Sequence, residues 1–415
     1  MSFSMLASHA VGKGKEPDVV FDILGKANAA KATLGQDKVI NGSIGAIFTE
    51  EEKFASFQGV SDYYRRLPDE ELMNYAAIAG LPDYLQAAID YTFGAYKPQG
   101  AFLRAVATPG GTGAIRNAFF NYIEVGQKAL IPDWFWGPYK TIANEHQRDV
   151  ETYAMFDENN NFTLEPVKEK VLQLFKVQDS VLTVFNTPGH NPTGHSVSFD
   201  EWIQLLDFYK ECAADKKKKI ILLLDIAYLD YVKNGDEARK FMQLFANLPE
   251  NILVTIAFSM SKSFLLYGMR CGALIGVTSS AEVAEEFPQA HSYSARGVWS
   301  NGTRGAQKLL VDVMKNKELR ESIDLERKSL SELILKRADI FVQEAKDTGL
   351  ELMPYHGGFF ISVPANKPLE AANQLMEDNI YVVPLKKGLR FAVCALPLQK
   401  IPGLAAKTKE VLSKL

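Results

Sequence analysis

The chain has 415 residues, 47% of them hydrophobic, and a formal net charge of −4, enough to bury one large core or two and too near neutral for a nucleic-acid-binding role. Three widely spaced cysteines, Cys212, Cys271 and Cys394, suit a reducing compartment and give neither a disulfide framework nor a metal site. No apolar run reaches the roughly 18 residues of a membrane span, and Met1-Ser-Phe-Ser-Met-Leu lacks the charged start and apolar core of a signal peptide, so a soluble, cytoplasmic protein is expected.

In chain order, Thr108-Pro-Gly110-Gly111-Thr112-Gly113-Ala114 opens a predicted helix over 115–123. The glycines free backbone N–H groups at the positive end of a helix dipole, and Thr112 adds a hydroxyl, which together make a phosphate cradle. The segment matches neither a P-loop nor a GxGxxG fingerprint, and a plain glycine-rich turn has the same composition. A strand over 128–131 leads into Pro132-Asp-Trp134-Phe-Trp136-Gly-Pro-Tyr139, and one over 181–185 leads into Asn186-Thr-Pro-Gly-His190-Asn191-Pro192-Thr-Gly194. The prolines and glycines of the latter fix a turn that projects Asn191 at a sheet edge, although plain loops favour the same residues.

A helical pattern over 199–214 precedes the run Lys216-Lys-Lys-Lys219, read as a solvated helix end. The strand over 220–224 is all aliphatic, which implies burial on both faces, and it ends in Asp225-Ile-Ala-Tyr228. A carboxylate at such a tip needs a cation or hydrogen bonds. It is either a helix N-cap or the group that keeps a cofactor's ring nitrogen protonated, with the Tyr228 phenol either half-buried or at the same site. After a helical pattern over 236–248, a strand over 253–258 runs into Ser259-Met-Ser-Lys262-Ser-Phe-Leu-Leu-Tyr-Gly-Met-Arg270-Cys-Gly272. A lysine at the end of a buried strand is either solvated or has a depressed pKa suited to Schiff-base chemistry with carbonyls. A further strand covers 273–277.

The alternation of strand and helix predicts a mostly parallel, helix-covered α/β sheet, with ligands beyond the carboxyl ends of its strands. A charged helical pattern then fills 315–348, and strands over 359–363 and 389–393 alternate with helices. The expected organisation is a large domain over 56–314 and a smaller α+β domain over 315–415, joined by an N-terminal segment over 1–55.

In this order and on successive strand ends, these segments resemble the fold-type-I pyridoxal-phosphate enzymes, specifically class I aminotransferases of the aspartate/aromatic branch, over 41–392. Asn41-Gly-Ser-Ile-Gly45-Ala46 is similar to that branch's N-terminal loop, and Tyr75-Ala-Ala-Ile-Ala-Gly80-Leu to its partner-subunit tyrosine segment. The resemblance implies a seven-stranded sheet in the large domain, pyridoxal 5′-phosphate as cofactor, and a homodimer with shared active sites. It also implies ping-pong transamination between an amino acid and a 2-oxo acid through aldimine and pyridoxamine forms.

By that resemblance Lys262 holds the cofactor and shuttles the proton, Asp225 pairs with the ring nitrogen, and Asn191 and Tyr228 reach the ring's phenolic oxygen. Gly111, Thr112, Ser259 and Arg270 hold the phosphate, with Tyr75 reaching in from a second subunit. A guanidinium suits that task because it binds phosphate with two parallel hydrogen bonds. Trp136 is preferred to Trp134 for stacking on the cofactor. Arg390 and Gly45 bind the substrate α-carboxylate, and Arg296 binds a distal carboxylate in the neighbouring subunit's site. Arg296 favours aspartate and glutamate, but aromatic aminotransferases of the branch keep this arginine too.

Four positions depart from the family pattern: Gly110 replaces a frequent serine, Ile47 and Trp299 stand where tyrosine is common, and Gly302 where proline is. Lyases and decarboxylases of the same fold share Lys262 and Asp225; the pair Arg390 and Arg296 favours transamination. A pyridoxal-binding regulator would need an added DNA-binding domain, and the first forty residues show no helix-turn-helix pattern and no basic bias.

Overall fold

The aliphatic runs of the middle of the chain pair into one sheet. A computed structural model describes residues 4–15 and 18–415. The strands are β1 (Ile40–Asn41), β2 (Phe102–Thr108), β3 (Lys128–Pro132), β4 (Asp149–Tyr153), β5 (Ser180–Asn186), β6 (Lys219–Asp225), β7 (Ile252–Ser259), β8 (Gly272–Thr278), β9 (Phe360–Pro364), β10 (Ile380–Tyr381), β11 (Val383–Leu385) and β12 (Gly388–Ala392). Seven of them form the main sheet in the order β2-β8-β7-β6-β5-β3-β4. Helices cover it on both faces, and in its middle β7 is buried along its length and β6 from Ile220 onward, as strands covered on both sides must be.

The sheet is mostly parallel, but β8 runs antiparallel to both β2 and β7. The connection from β7 to β8 holds only the single helical turn Met260–Ser263, without the crossover helix a parallel return usually carries. Two strands of the main sheet were not legible in the sequence. β2 and β4 lie at the two edges, and each exposes several of its residues, so neither carries a continuous aliphatic run. The helical pattern over 236–248 folds as a 3-10 helix, Gly235–Phe245. Its Phe241 stacks on Trp202 with ring centroids 5.0 Å apart.

The charged pattern near 315–348 is one helix, Lys317–Thr348, of 32 residues, about 48 Å long at 1.5 Å per residue. Asn316 caps its start by accepting from Leu319 N, and Gly349, in the left-handed conformation at φ 69°, ends it. Its buried stripe includes Ile323, Arg327, Ile334, Arg337, Ala338 and Phe341. Arg327 on this stripe bonds the segment after β7, and Arg337 bonds the carbonyl of Cys394 beyond β12. The helix therefore ties the main sheet to a second, antiparallel sheet ordered β11-β12-β9. The N-terminal part joins the latter side of the molecule, because β1 pairs in parallel with β10. Among the described residues no helix is long and apolar enough to cross a membrane.

Candidate active site

Strand register gathers the singled-out residues at one end of the main sheet. Thr108 at the end of β2 pairs with Gly272, and Gly272 pairs with Ser259 at the end of β7. This sets the turn Gly110-Gly111-Thr112, Ser259 and Arg270 side by side. One strand further, Asp225 pairs with Ala257 of β7 and with Asn186 of β5. Lys262 stands one helical turn beyond β7, and Asn191 five residues beyond β5.

The helix Gly110–Tyr122 begins without a side-chain cap, so its first backbone N–H groups are free for an anion. Gly110 has φ +68°, and a Cβ there would lie 2.6 Å from Arg270 Nη2. Arg270, also left-handed at φ 51°, donates from Nη1 to Ser261 Oγ (3.2 Å) and to Tyr267 O (2.8 Å). Its guanidinium is thereby aimed across the glycine turn. Uncapped N–H groups, the hydroxyls of Thr112 and Ser259, and this guanidinium form a donor set that fits a phosphate.

Asp225 is buried. Its Oδ2 accepts from Tyr139 Oη at 2.6 Å and its Oδ1 from Ala227 N at 3.2 Å. Burial pushes its pKa above the ordinary 3.8; the Tyr139 hydroxyl, the Ala227 amide and the Lys262 charge pull it back only in part. Among the described residues no cationic side chain bonds it. Asn186 steadies the strand tip, donating from Nδ2 to Asp225 O (2.8 Å) and accepting from Asn191 N (2.6 Å). Asn191 Nδ2 lies 3.5 Å from Tyr228 Oη, and burial raises the Tyr228 phenol well above its ordinary value.

Lys262 Nζ donates to Gly45 O at 2.9 Å. It sits 4.5 Å from the Tyr267 ring centre and 5.7 Å from that of Phe359. Burial brings its pKa from 10.5 down to about 8, with Arg270 and Arg390 pushing the same way against Cys394 and Asp225. Arg390, on β12 opposite Ser362 and Val383, points the other wall of the cleft at this lysine. It donates from Nη2 to Ser43 O (3.0 Å) and from Nη1 to Asn191 Oδ1 (3.3 Å), and stacks 4.2 Å over the Phe360 ring. Its Nε is buried without a hydrogen-bond partner among the described residues, which leaves donor capacity for a carboxylate. Gly45 faces the same ring: a Cβ there would come within 2.6 Å of Phe360.

The two tryptophans separate. Trp136 meets the Tyr139 ring edge-on at 5.4 Å, and Tyr139 is the residue bonded to Asp225. Trp134 is 4% exposed and packs against β12, where a Cβ on Gly388 would come within 2.8 Å of it. Tyr75 and Arg296 stay outside the cluster. Tyr75 is 80% exposed, and Arg296, at the exposed end of the helix Ala281–Val298, donates among the described residues only to Ser300 Oγ (2.6 Å).

Sequence reasoning missed three residues of the cleft. Tyr139 carried a usable signal, lying three residues past Trp136 at a helix start. Tyr267, whose hydroxyl accepts from Ile47 N (3.1 Å), and Phe360 gave none, since each reads as an ordinary half-buried aromatic.

Residues 41–407 match the family model "Aminotransferase class I and II". An aminotransferase from Anaerococcus prevotii is 39% identical in its crystal structure, which covers 99% of this chain and 100% of its own, with a TM-score of 0.96. The aspartate aminotransferase of Escherichia coli (strain K12) is 26% identical over 338 residues, 79% of this chain and 81% of its own. An aromatic-amino-acid aminotransferase from Burkholderia pseudomallei, covalently bound to pyridoxal phosphate in its crystal structure, shares the fold at TM-score 0.78 and 21% identity, covering 98% of this chain and 100% of its own.

Proposed function

This chain belongs to the class I and II aminotransferases, pyridoxal-phosphate-dependent transferases, and from that premise we propose that it moves amino groups between aspartate or glutamate and their 2-oxo acids, with aromatic amino acids as a second substrate class. The observation that carries the site assignment is a buried carboxylate, Asp225, with no cation bonded to it among the described residues, beside a lysine whose pKa is lowered to about 8. Such a pair fits an aldehyde cofactor with a basic ring nitrogen. When bound, pyridoxal phosphate supplies a carbonyl that takes up the amino group and a cationic ring that accepts the electron pair left at the substrate Cα.

The chain's own residues do the rest. Asp225 holds the proton on the ring nitrogen, and Tyr139 and Asn186 hold Asp225 in place. Lys262 Nζ would hold the cofactor covalently, and as a free amine it would take the proton from the substrate Cα and deliver it to the cofactor carbon that carried the aldehyde. A lysine with a pKa near 8 suits that work because a useful fraction is neutral at working pH. Tyr228 and Asn191 would hold the ring's phenolic oxygen, and Trp136 would supply the aromatic surface for the ring. The Gly111 and Thr112 amides, Ser259 and Arg270 anchor the phosphate. Arg390 grips the α-carboxylate with its fork, and Gly45 closes that side.

Tyr75 and Arg296, solvent-facing in the single chain, complete the site of a second copy in a homodimer, Tyr75 at the phosphate and Arg296 at a distal substrate carboxylate. Residues 56–314 form the cofactor-binding domain, and 315–415 form a smaller domain to which the described residues before 56 contribute. Three free cysteines suit the cytoplasm.

The test is a panel of single half-reactions. Glutamate and aspartate, each added alone to protein loaded with pyridoxal phosphate, convert its absorbance to that of the pyridoxamine form without release of ammonia or carbon dioxide. Release of either gas-forming product at a comparable rate turns the assignment to a lyase or decarboxylase. Arg296→Ala impairs glutamate and aspartate far more than phenylalanine; equal loss on all three puts Arg296 outside the pocket.

A further inference from the structure

We propose that Arg327, together with Tyr231, is a positioning residue for Lys262, fixing the main chain on which that lysine is mounted; the inference rests on the reading of Lys262 as the point of cofactor attachment. Lys262 sits in the four-residue helix Met260–Ser263. So short a helix cannot sustain itself, and the carbonyls of its last turn lack partners from a continuing helix. The chain breaks off at once, with Leu265 in the left-handed region at φ 54°.

Side chains from two distant segments supply what the helix lacks. Tyr231 Oη donates to Lys262 O at 3.0 Å, beside a 3.2 Å bond from Leu265 N. Arg327 Nε donates to the next carbonyl, Ser263 O, at 2.7 Å. Tyr231 and Asp230 lie in the turn that follows Asp225 and Tyr228, so the same turn that presents the ring-nitrogen carboxylate also grips the lysine segment. Arg327 belongs to the long helix that ties the two sheets together.

This clamp is built from charges in a buried place. The Arg327 guanidinium packs over Phe264 (5.1 Å), Tyr91 (5.7 Å) and Phe57 (5.8 Å) and bonds Asp324 at 2.5 Å. Asp230 accepts from Arg239 Nη2 (2.5 Å) and Tyr91 Oη (2.9 Å). Buried ion networks add little net stability over apolar packing of the same volume, so stability alone is a weak reason for two arginines and an aspartate here. What the network does specify is the direction of two consecutive carbonyls at and after Lys262. An error of about 1 Å in such a place costs about a hundredfold in rate.

The test uses Arg327→Lys, which keeps the charge but not the planar fork, and Tyr231→Phe, which removes one hydroxyl. Both are prepared with pyridoxal phosphate and checked for native circular dichroism. Borohydride reduction followed by peptide mass analysis is expected to fix the cofactor at Lys262 in the unmodified protein and in both variants. The pH midpoint of the lysine–cofactor absorbance is expected to move by about half a unit or more in each. The half-reaction rate at saturating glutamate is expected to fall about tenfold or more, with the half-saturating concentration nearly unchanged. Unaltered midpoints and saturating rates in the folded variants overturn the proposal, as does a loss confined to half-saturation. Should Arg327→Lys not fold, Tyr231→Phe decides by the same readouts. Absence of a borohydride-fixed cofactor at Lys262 in the unmodified protein overturns the underlying reading instead.

Discussion

Replacing Asp225 by asparagine keeps the shape of the side chain and one acceptor oxygen while removing a single negative charge from a buried place. A pair of unit charges about 4 Å apart at an effective dielectric of about 20 interacts by about 4 kcal/mol, or about three decades in rate when the interaction is made in the transition state. The glutamate half-reaction of the loaded variant, followed by stopped-flow absorbance, is therefore expected to slow by about a thousandfold. Protein freed of cofactor should respond in the opposite sense. Burial raises the Asp225 pKa above 3.8, so in the acid range the folded state holds this proton more tightly than the unfolded state does. Stability then falls as pH climbs from the ordinary carboxylate range through the raised value, and at neutral pH the ionised group is a net cost. The cofactor-free asparagine variant should be at least as stable as the parent at pH 7 by thermal unfolding. A rate loss under about tenfold, with cofactor-free protein weakened by about 1 kcal/mol as for a lost cap, would refute the reasoning and make Asp225 a turn cap.

Uptake of pyridoxal phosphate by cofactor-free protein should accelerate with pH around about 8, the lowered Lys262 value, and level off above it; a midpoint near 10.5 counts against a desolvated lysine. Lys262→Ala should bind the cofactor without a borohydride-fixed bond and show almost no turnover, and normal turnover removes its role. Tyr139→Phe deletes the 2.6 Å bond to Asp225; hydrogen bonds to charged groups are worth about 1.5–3 kcal/mol, so the half-reaction should slow by about tenfold to a hundredfold, and an unchanged rate places Tyr139 in packing alone. Arg390→Lys keeps the charge but loses the two-pronged geometry; half-saturation should rise for every amino acid alike in steady-state assays, and a rise restricted to dicarboxylic substrates would contradict contact with the α-carboxylate.

The singled-out residues that the fold gathers in the cleft were legible because each sat at a recognisable local boundary. Lys262 followed a β-branched run, Asp225 ended five aliphatics, and Gly110 and Gly111 stood before a helical pattern. Those signals are short-range, since burial on both faces of a strand and the onset of a helix leave their mark on neighbouring residues. The family pattern added the order of the segments. What lay beyond local pattern was direction and partnership. Strand β8 reads like its neighbours yet runs the other way, and edge strands β2 and β4 carry too much exposed surface to stand out.

The sequence by itself determined the type of sheet, the lysine and the acid at its strand ends, and the arginine of the second sheet, because hydrophobic periodicity and turn chemistry are written residue by residue. Only the tertiary structure decided that Tyr139 holds Asp225, that Trp136 rather than Trp134 stands beside that pair, and that Tyr231 and Arg327 grip the carbonyls of Lys262 and Ser263. The bonds made by Tyr139, Tyr231 and Arg327 join residues from 31 to 86 positions apart. Such pairs are chosen by how packed elements meet, and an aromatic or an arginine has the same local sequence signature whichever partner it finds.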